Sequence, residues 1–289
     1  GFPAPVIAGF EPRIGRGTIG NVVASGTEII DRLGTEHVRT GKPIVYTSAD
    51  SVFQIAAHED VIPVPELYRI CEAAFDIVGR GMGVGRVIAR PFVGAPGAFK
   101  RTSNRHDYAL DPIEKTLLDH LTGGGIPVVS VGKVKDLFAG RGITRAVPTA
   151  SDDEGVDRVL DAMHSVASGL IFANLVDFDT VYGHRNDVAG YAANLERFDE
   201  RLVSVLDRMR DTDLLVVTAD HGNDPTTPST DHSREHVPLL MTGRHVKRGA
   251  DVGTRRTFAD LGQTLAANFA VGPLAHGTSF LEDVVVEHS

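Results

Sequence analysis

Two short runs of oxygen and nitrogen donors, each behind an apolar strand-like stretch, constrain this chain more than any other feature. The first is Asp177-Phe178-Asp179-Thr180-Val181-Tyr182-Gly183-His184, shortly after Gly169-Leu170-Ile171-Phe172-Ala173. The second occupies residues 220–236 behind Leu214-Leu215-Val216-Val217 and gathers four carboxylates and three imidazoles. Ligands of open α/β sheets bind beyond the carboxyl ends of the strands. The fold therefore has to bring two such strand ends to one edge. Carboxylate oxygen mixed with imidazole nitrogen suits hard or borderline divalent cations such as Mn²⁺, Mg²⁺ or Zn²⁺. The two runs read as halves of one metal site.

The surrounding pattern alternates between strand and helix. Residues 44–47 read as a strand ending at Ser48-Ala49-Asp50, and residues 65–78 as a helix with Pro65 in its first turn. Glycines over 79–83 break that helix, and residues 84–89 form the next strand. Because these glycines follow a helix and precede none, they do not make a dinucleotide loop. Beyond a domain crossing at 107–112, helices are expected at 113–121, 153–167, 188–209 and 258–269. Strands are expected at 128–131, 169–175, 214–218 and 237–241. In the long helix Leu195, Phe198, Leu202, Val205, Leu206 and Met209 recur at helical spacing. The alternation predicts an α/β fold with a mainly parallel sheet. Residues 1–111 make a smaller α/β domain, and residues 112–289 carry the metal-binding part.

At 289 residues the chain can bury a sizeable core. Its 42% hydrophobic and 23% charged content is ordinary for a globular protein in water. A net charge of -9 argues against nucleic acid or an anionic membrane as a partner. No apolar run approaches the roughly 20 residues that span a bilayer. A single cysteine, Cys71, excludes an internal disulfide and fits a reducing, cytoplasmic setting. The N-terminus, Gly1-Phe2-Pro3-Ala4-Pro5, has neither an initiator Met nor the regions of a signal peptide. The expectation is that the chain begins inside a longer protein. Nothing in the sequence implies a protein partner.

Asp220 and His221 present a carboxylate and an imidazole where the chain leaves its strand, with Gly222 allowing a tight turn. Alone, such a pair is as well read as a helix cap and a solvated histidine; the companion run favours metal. Asp179 and His184 stand five apart, a loop spacing rather than a helical one. Asp177 competes with Asp179 as the ligating carboxylate, or orients an imidazole instead. His232 lies far enough from His221 to return across the site. His236 is a weaker candidate, since it runs straight into the next strand. Asp224, Asp231, Arg234 and Glu235 read as supporting or solvent-facing.

Taken together, Asn174 to Asp179, Tyr182-Gly183-His184-Arg185, Thr218 to Asp224, Thr230 to Glu235 and Val237 to Leu240 closely resemble the phosphopentomutases. These are two-metal enzymes of the alkaline phosphatase superfamily. The stretches Thr47 to Glu59, Arg86 to Phe92 and Ala24 to Ile30 look like that family's cap domain, so the resemblance covers essentially the whole chain. It implies an alkaline phosphatase-like core with a smaller α/β cap over residues 1–111. It implies two Mn²⁺ ions, with Mg²⁺ or another divalent ion as an alternative. Asp220 and His221 would serve one ion, and Asp179, His184 and His232 the other. Asp50, Val52, Arg86, Ile88 and Lys133 would contact the sugar phosphate. Chemistry agrees for Arg86, a planar fork for phosphate, and for Lys133, a point charge.

The implied reaction moves phosphate between O1 and O5 of ribose or 2-deoxyribose through a phosphothreonine enzyme and a bound bisphosphate. The sequence departs from the family in one respect. The family's phosphate-carrying threonine and one further metal-binding aspartate belong to an N-terminal segment with no match here, so no nucleophile is assigned. Two other readings stand beside the mutase: hydrolysis by a related metallophosphatase or sulfatase, and a fragment that binds metal and sugar phosphate without turnover.

Overall fold

Two units, Gly1–Asp111 and Pro112–Ser289, each carry their own core. The computed structural model describes residues 1–47, 52–79 and 84–286. In the first unit α1 (Ala4–Ile14), α2 (Gly26–Thr40) and α3 (Val64–Ala74) enclose strands β1 (Ile19–Val23), β2 (Ile44–Thr47), β3 (Phe53–His58), β4 (Arg86–Val93), β5 (Lys100–Arg101) and β6 (His106–Ala109). The sheet order is β1-β2-β3-β4, with β5 and β6 both pairing β4. Pairs β1–β2 and β3–β4 are parallel, whereas β2–β3, β4–β5 and β4–β6 are antiparallel.

All of β3 is buried because helices cover both faces of the sheet. On one face Val6 and Phe10 of α1 and Leu67, Ile70 and Cys71 of α3 pack on Val45, Phe53, Ile55, Val87 and Ala89. On the other, Ile29 and Ile30 of α2 pack on Ile44, Tyr46, Ala56 and Phe92. Ser25 starts α2 by accepting the Glu28 backbone N–H, and Gly41 stops it in the left-handed region at φ 69°. The helix expected over 65–78 runs only to Ala74, then widens into a π turn at Phe75–Gly79.

The second unit contains α4 (Leu117–Gly123), β7 (Val128–Gly132), α5 (Val134–Leu137), β8 (Arg145–Val147), α6 (Asp152–Ser165), β9 (Leu170–Asn174) and α7 (Val188–Leu206). It closes with β10 (Leu215–Thr218), β11 (Leu239–Thr242), α8 (Ala259–Asn268) and α9 (Leu281–Val284). Strands β8, β7 and β9 form a parallel sheet in that order. Strands β10 and β11 instead form an antiparallel ribbon. No helix crosses between them, so the loop over 219–238 simply reverses the chain. The helix expected at 113–121 begins at Leu117, where Thr116 and Asp119 complete a capping box. Val156 and Leu160 of α6 pack with Val205 of α7, drawing in Leu175, Phe198, Leu202 and Leu215. Among the described residues no helix is long and apolar enough to cross a membrane.

His37, fully buried on α2, ties this architecture to pH. Its Nδ1 donates to the Lys42 carbonyl at 2.7 Å, and its Nε2 accepts the His58 backbone N–H at 2.8 Å. The ring must be neutral to accept that bond. Burial holds it below the usual histidine range, with smaller contributions from His58 and Arg16. The unfolded chain therefore binds more protons than the folded one as pH falls below the ordinary histidine value of about 6.5. Stability from this contact is complete above that value and is lost on acidification towards the folded pKa. Melting temperature should drop between pH 7.5 and 5.5, and H37Q should flatten that dependence; an unchanged slope would place the acid lability elsewhere.

Candidate metal centre

The strand β9 ends at Asn174, in register with Gly132 of β7, and the chain there turns into the loop that carries Asp179 and His184. That loop is not irregular. Residues Phe178–Tyr182 form a π-helical turn, followed by a 3-10 turn at Gly183–Arg185. The Gly183 N–H reaches back to the carbonyl of Phe178, five residues earlier. Asp179 lies within the π turn and His184 in the 3-10 turn that follows it. The segment read from sequence as a loop is thus corrected to two short helical turns of different kinds.

Asp179, His184 and His232 come together, their ligand atoms all within 4.8 Å of one another. Asp179 Oδ2 stands 3.4 Å from His184 Nε2, and Oδ1 stands 3.1 Å from His232 Nε2. His221 stacks on His232 with ring centroids 3.7 Å apart, and His184 stacks on the same ring at 4.9 Å. Asp220 Oδ1 lies 3.8 Å from His221 Nε2. All five expected donors of this unit therefore share one locality at the ends of β9 and β10. The imidazoles and Asp179 are about two-thirds buried, whereas Asp220 is 60% exposed.

Hydrogen bonds set which nitrogen each ring offers. His184 Nδ1 donates to the Thr230 carbonyl at 2.6 Å, and His221 Nδ1 to the Gly222 carbonyl at 3.2 Å. A carbonyl only accepts, so the proton belongs on Nδ1. The Nε2 lone pair of His184 then faces a carboxylate oxygen, which is repulsive unless a second proton or a cation stands between them. The donor set accordingly fits a divalent ion held by neutral imidazole and carboxylate.

Asp177 does not join this group. Its Oδ2 accepts the Asp152 backbone N–H at 2.8 Å, and its own N–H donates to Asp152 Oδ1 at 2.9 Å. Asp152 is buried, and burial pushes its carboxyl up, with the Asp177 charge a lesser cause. His236 is exposed, as are Asp231, Arg234 and Glu235. Asp224 spends its carboxylate on the Thr226 N–H and hydroxyl, which hold it below the usual range. The residue that sequence reading missed is Asn223, whose Nδ2 donates to Asp179 Oδ1 at 2.6 Å. A Cβ at Gly183 would collide with that amide. The only sequence signal was an Asn directly behind Asp220-His221-Gly222.

The other expected residues fall in two places. Lys133 follows β7 at its carboxyl end and starts α5. In the first unit Val52 and Ile88 are buried, and Arg86 Nη1 lies 3.5 Å from Asp107 Oδ2. Ile88 stands in one cross-strand row with Tyr46, Gln54 and Asp107. Arg86 and Arg90 flank it on the same face of β4, with Arg90 Nε donating to Gln54 Oε1 at 3.0 Å. Asp50 lies outside the described residues.

A family model described as Metalloenzyme superfamily matches residues 26–273. Phosphopentomutase of Caldanaerobacter subterraneus subsp. tengcongensis is 58% identical over 284 residues, spanning 98% of this chain and 72% of that protein. Phosphopentomutase of Kosmotoga olearia is 56% identical over 286 residues, spanning 99% and 74%. Among solved structures, phosphoglycerate mutase of Leishmania mexicana, described at low cobalt concentration, aligns with a TM-score of 0.46 and 21% identity. That alignment covers 59% of this chain and 39% of the other.

H232A should remove one of three converging donors and sharply lower divalent-metal occupancy, read by calorimetric titration. G183A leaves every donor in place but displaces Asn223, and should weaken metal binding by about 10–100-fold. Unchanged affinity in G183A would show that the Asn223 bond does not hold Asp179 for the ion.

Proposed function

The chain belongs to the phosphopentomutase family of the metalloenzyme superfamily, and on that premise we propose how its residues divide the work. The protein is an isomerase that interconverts the 1- and 5-phosphates of ribose or deoxyribose. Its metal use follows from the same family and from the Asp179-His184-His232 group. That convergence is the observation on which the reading of the site rests.

In our reading Asp179, His184 and His232 hold one divalent ion, and Asp220 and His221 hold the second. Imidazole nitrogen beside carboxylate oxygen favours Mn²⁺, with Mg²⁺ the harder alternative. Such ions supply Lewis-acid stabilisation of charge on a transferring phosphoryl group. The protein's own part is positioning. Asn223 and the carbonyls of Thr230 and Gly222 fix the ligand side chains before substrate arrives, and preorganised groups cost no rearrangement during reaction. In our reading the phosphate passes through a phosphoenzyme.

Asp50, Val52, Arg86, Ile88 and Lys133 are the proposed contacts of the sugar phosphate. The character of the first unit supports this. Arg86 and Arg105 share the Asp107 carboxylate, which leaves that corner cationic in an acidic chain. The Arg101 guanidinium packs over Gly26, the first residue of α2, beside the Tyr46 hydroxyl. Among the described residues that buried hydroxyl has no hydrogen-bond partner. Cations gathered at the positive end of a helix are favoured when an anion joins them. Arg86 offers the planar fork, while buried Val52 and Ile88 back the sugar. We place the enzyme in the cytoplasm: its one thiol, Cys71, is free and buried, and burial pushes it upward and keeps it protonated.

The full-length protein, incubated with ribose 5-phosphate and Mn²⁺, should yield ribose 1-phosphate with little free phosphate, followed by ³¹P NMR. Predominant inorganic phosphate would convert the assignment to a phosphatase. In the same assay R86Q should raise KM by about tenfold or more, the worth of a charge-assisted hydrogen bond. An unmoved KM would remove Arg86 from the contact set.

A further inference from the structure

The loop that carries Asp179 and His184 is gripped at both ends by groups that contact neither. At its start, Asp152 and Asp177 exchange backbone N–H for carboxylate in both directions, at 2.8 and 2.9 Å. Asp152 opens α6, and the bond from its backbone N–H lies outside the helix's own ladder. Its second oxygen accepts Asn194 Nδ2 of α7 at 2.8 Å. Asn194, itself buried, receives Arg197 Nη2 at 2.8 Å on its oxygen. The same Arg197 nitrogen donates to the Tyr182 hydroxyl at 3.0 Å, at the far end of the π turn. Between these points Phe178 packs edge-on against Tyr191 and Phe198 of α7.

We propose that Asp152 and Asn194 are positioning residues for the metal loop, a clasp from α6 and α7 that fixes where Asp179 and His184 stand. This rests on the metal-centre reading above. Two buried polar side chains, each with its bonds filled, are costlier than an apolar joint and gain little for stability alone. Here they do what an apolar joint cannot. A reciprocal hydrogen-bonded pair sets the backbone at Asp177 to one register, and Asp179 follows two residues later. The turn cannot slide without breaking directional bonds at both ends.

The test compares D152A with L160A, which weakens the packing of α6 without touching the clasp. In metal-free protein, amide exchange across residues 176–186 should accelerate in D152A and not in L160A. Calorimetric titration with Mn²⁺ should show D152A weakened by about 10–100-fold, with L160A lowering the melting temperature but not the affinity. Should D152A fail to fold, N194A carries the same expectation. The double exchange D152N/N194D keeps an acceptor for the Asp177 N–H and a donor–acceptor pair between the helices, and should restore both readouts. Parental affinity and exchange in D152A, or an equal loss in L160A, would overturn the clasp. A parent chain that binds no Mn²⁺ overturns the metal-centre reading itself, whereas a binding parent with an equally tight D152A overturns only the clasp.

Discussion

The whole second unit is organised around one carboxylate, that of Asp179, and around what it costs to aim it. Two imidazole nitrogens and one amide nitrogen converge on its oxygens. With both Nδ1 protons committed to carbonyls, His184 and His221 turn lone pairs inward. Such an arrangement of acceptors is self-repelling, so it persists only where the surroundings over-determine it and where a cation relieves it. The donors leave the end of β9 in the parallel sheet and the loop between β10 and β11 in the antiparallel ribbon. Asn223, Thr230 and the π turn then set the direction of each donor, and the helices behind them resist relaxation.

Much of this was legible in the residues. Short apolar runs located β7, β9 and β10, and apolar residues at helical spacing located the long α7. The candidate donors Asp179, Asp220 and His221 follow such runs closely, whereas His184 and His232 stand further along the loops. What stayed ambiguous was the choice between Asp177 and Asp179. Both leave the same strand, and what separates them is a backbone N–H at Asp152, 25 residues away. Local sequence carries no trace of that partner. Asn223 was passed over for the same reason, because its value lies in reaching Asp179 across 44 positions. The width of the 178–182 turn was also hidden, because a π turn has no composition of its own.

The first unit shows the complementary limit. Its β2, α3 and β4 were read, whereas α1, α2, β1, β3, β5 and β6 were not; the short edge strands and a helix containing Pro5 and Pro12 lack clean periodicity. Register was wholly invisible. Only pairing shows that Tyr46, Gln54, Ile88 and Asp107 form one row, with Arg86 and Arg90 beside it. A face assembled from four strands has no signature in any single segment.

Holding a metal loop by buried polar groups also explains why the π turn is tolerable. A π turn is poorer in hydrogen-bond geometry than an α turn and is rare except as a single insertion. Phe178 anchors its start through edge-on contacts with Tyr191 and Phe198, and Tyr182 anchors its end through Arg197. Were those anchors absent, the segment would relax towards α-helical spacing, and residues five apart would rotate to different faces. Asp179 and His184 would then no longer address a single point. The π geometry is confined to one turn, and the bonds that hold it come from α6 and α7, whose apolar faces pack through Val156, Leu160 and Val205. Rigidity at the candidate centre is borrowed from the core behind it, where α6 packs with α7.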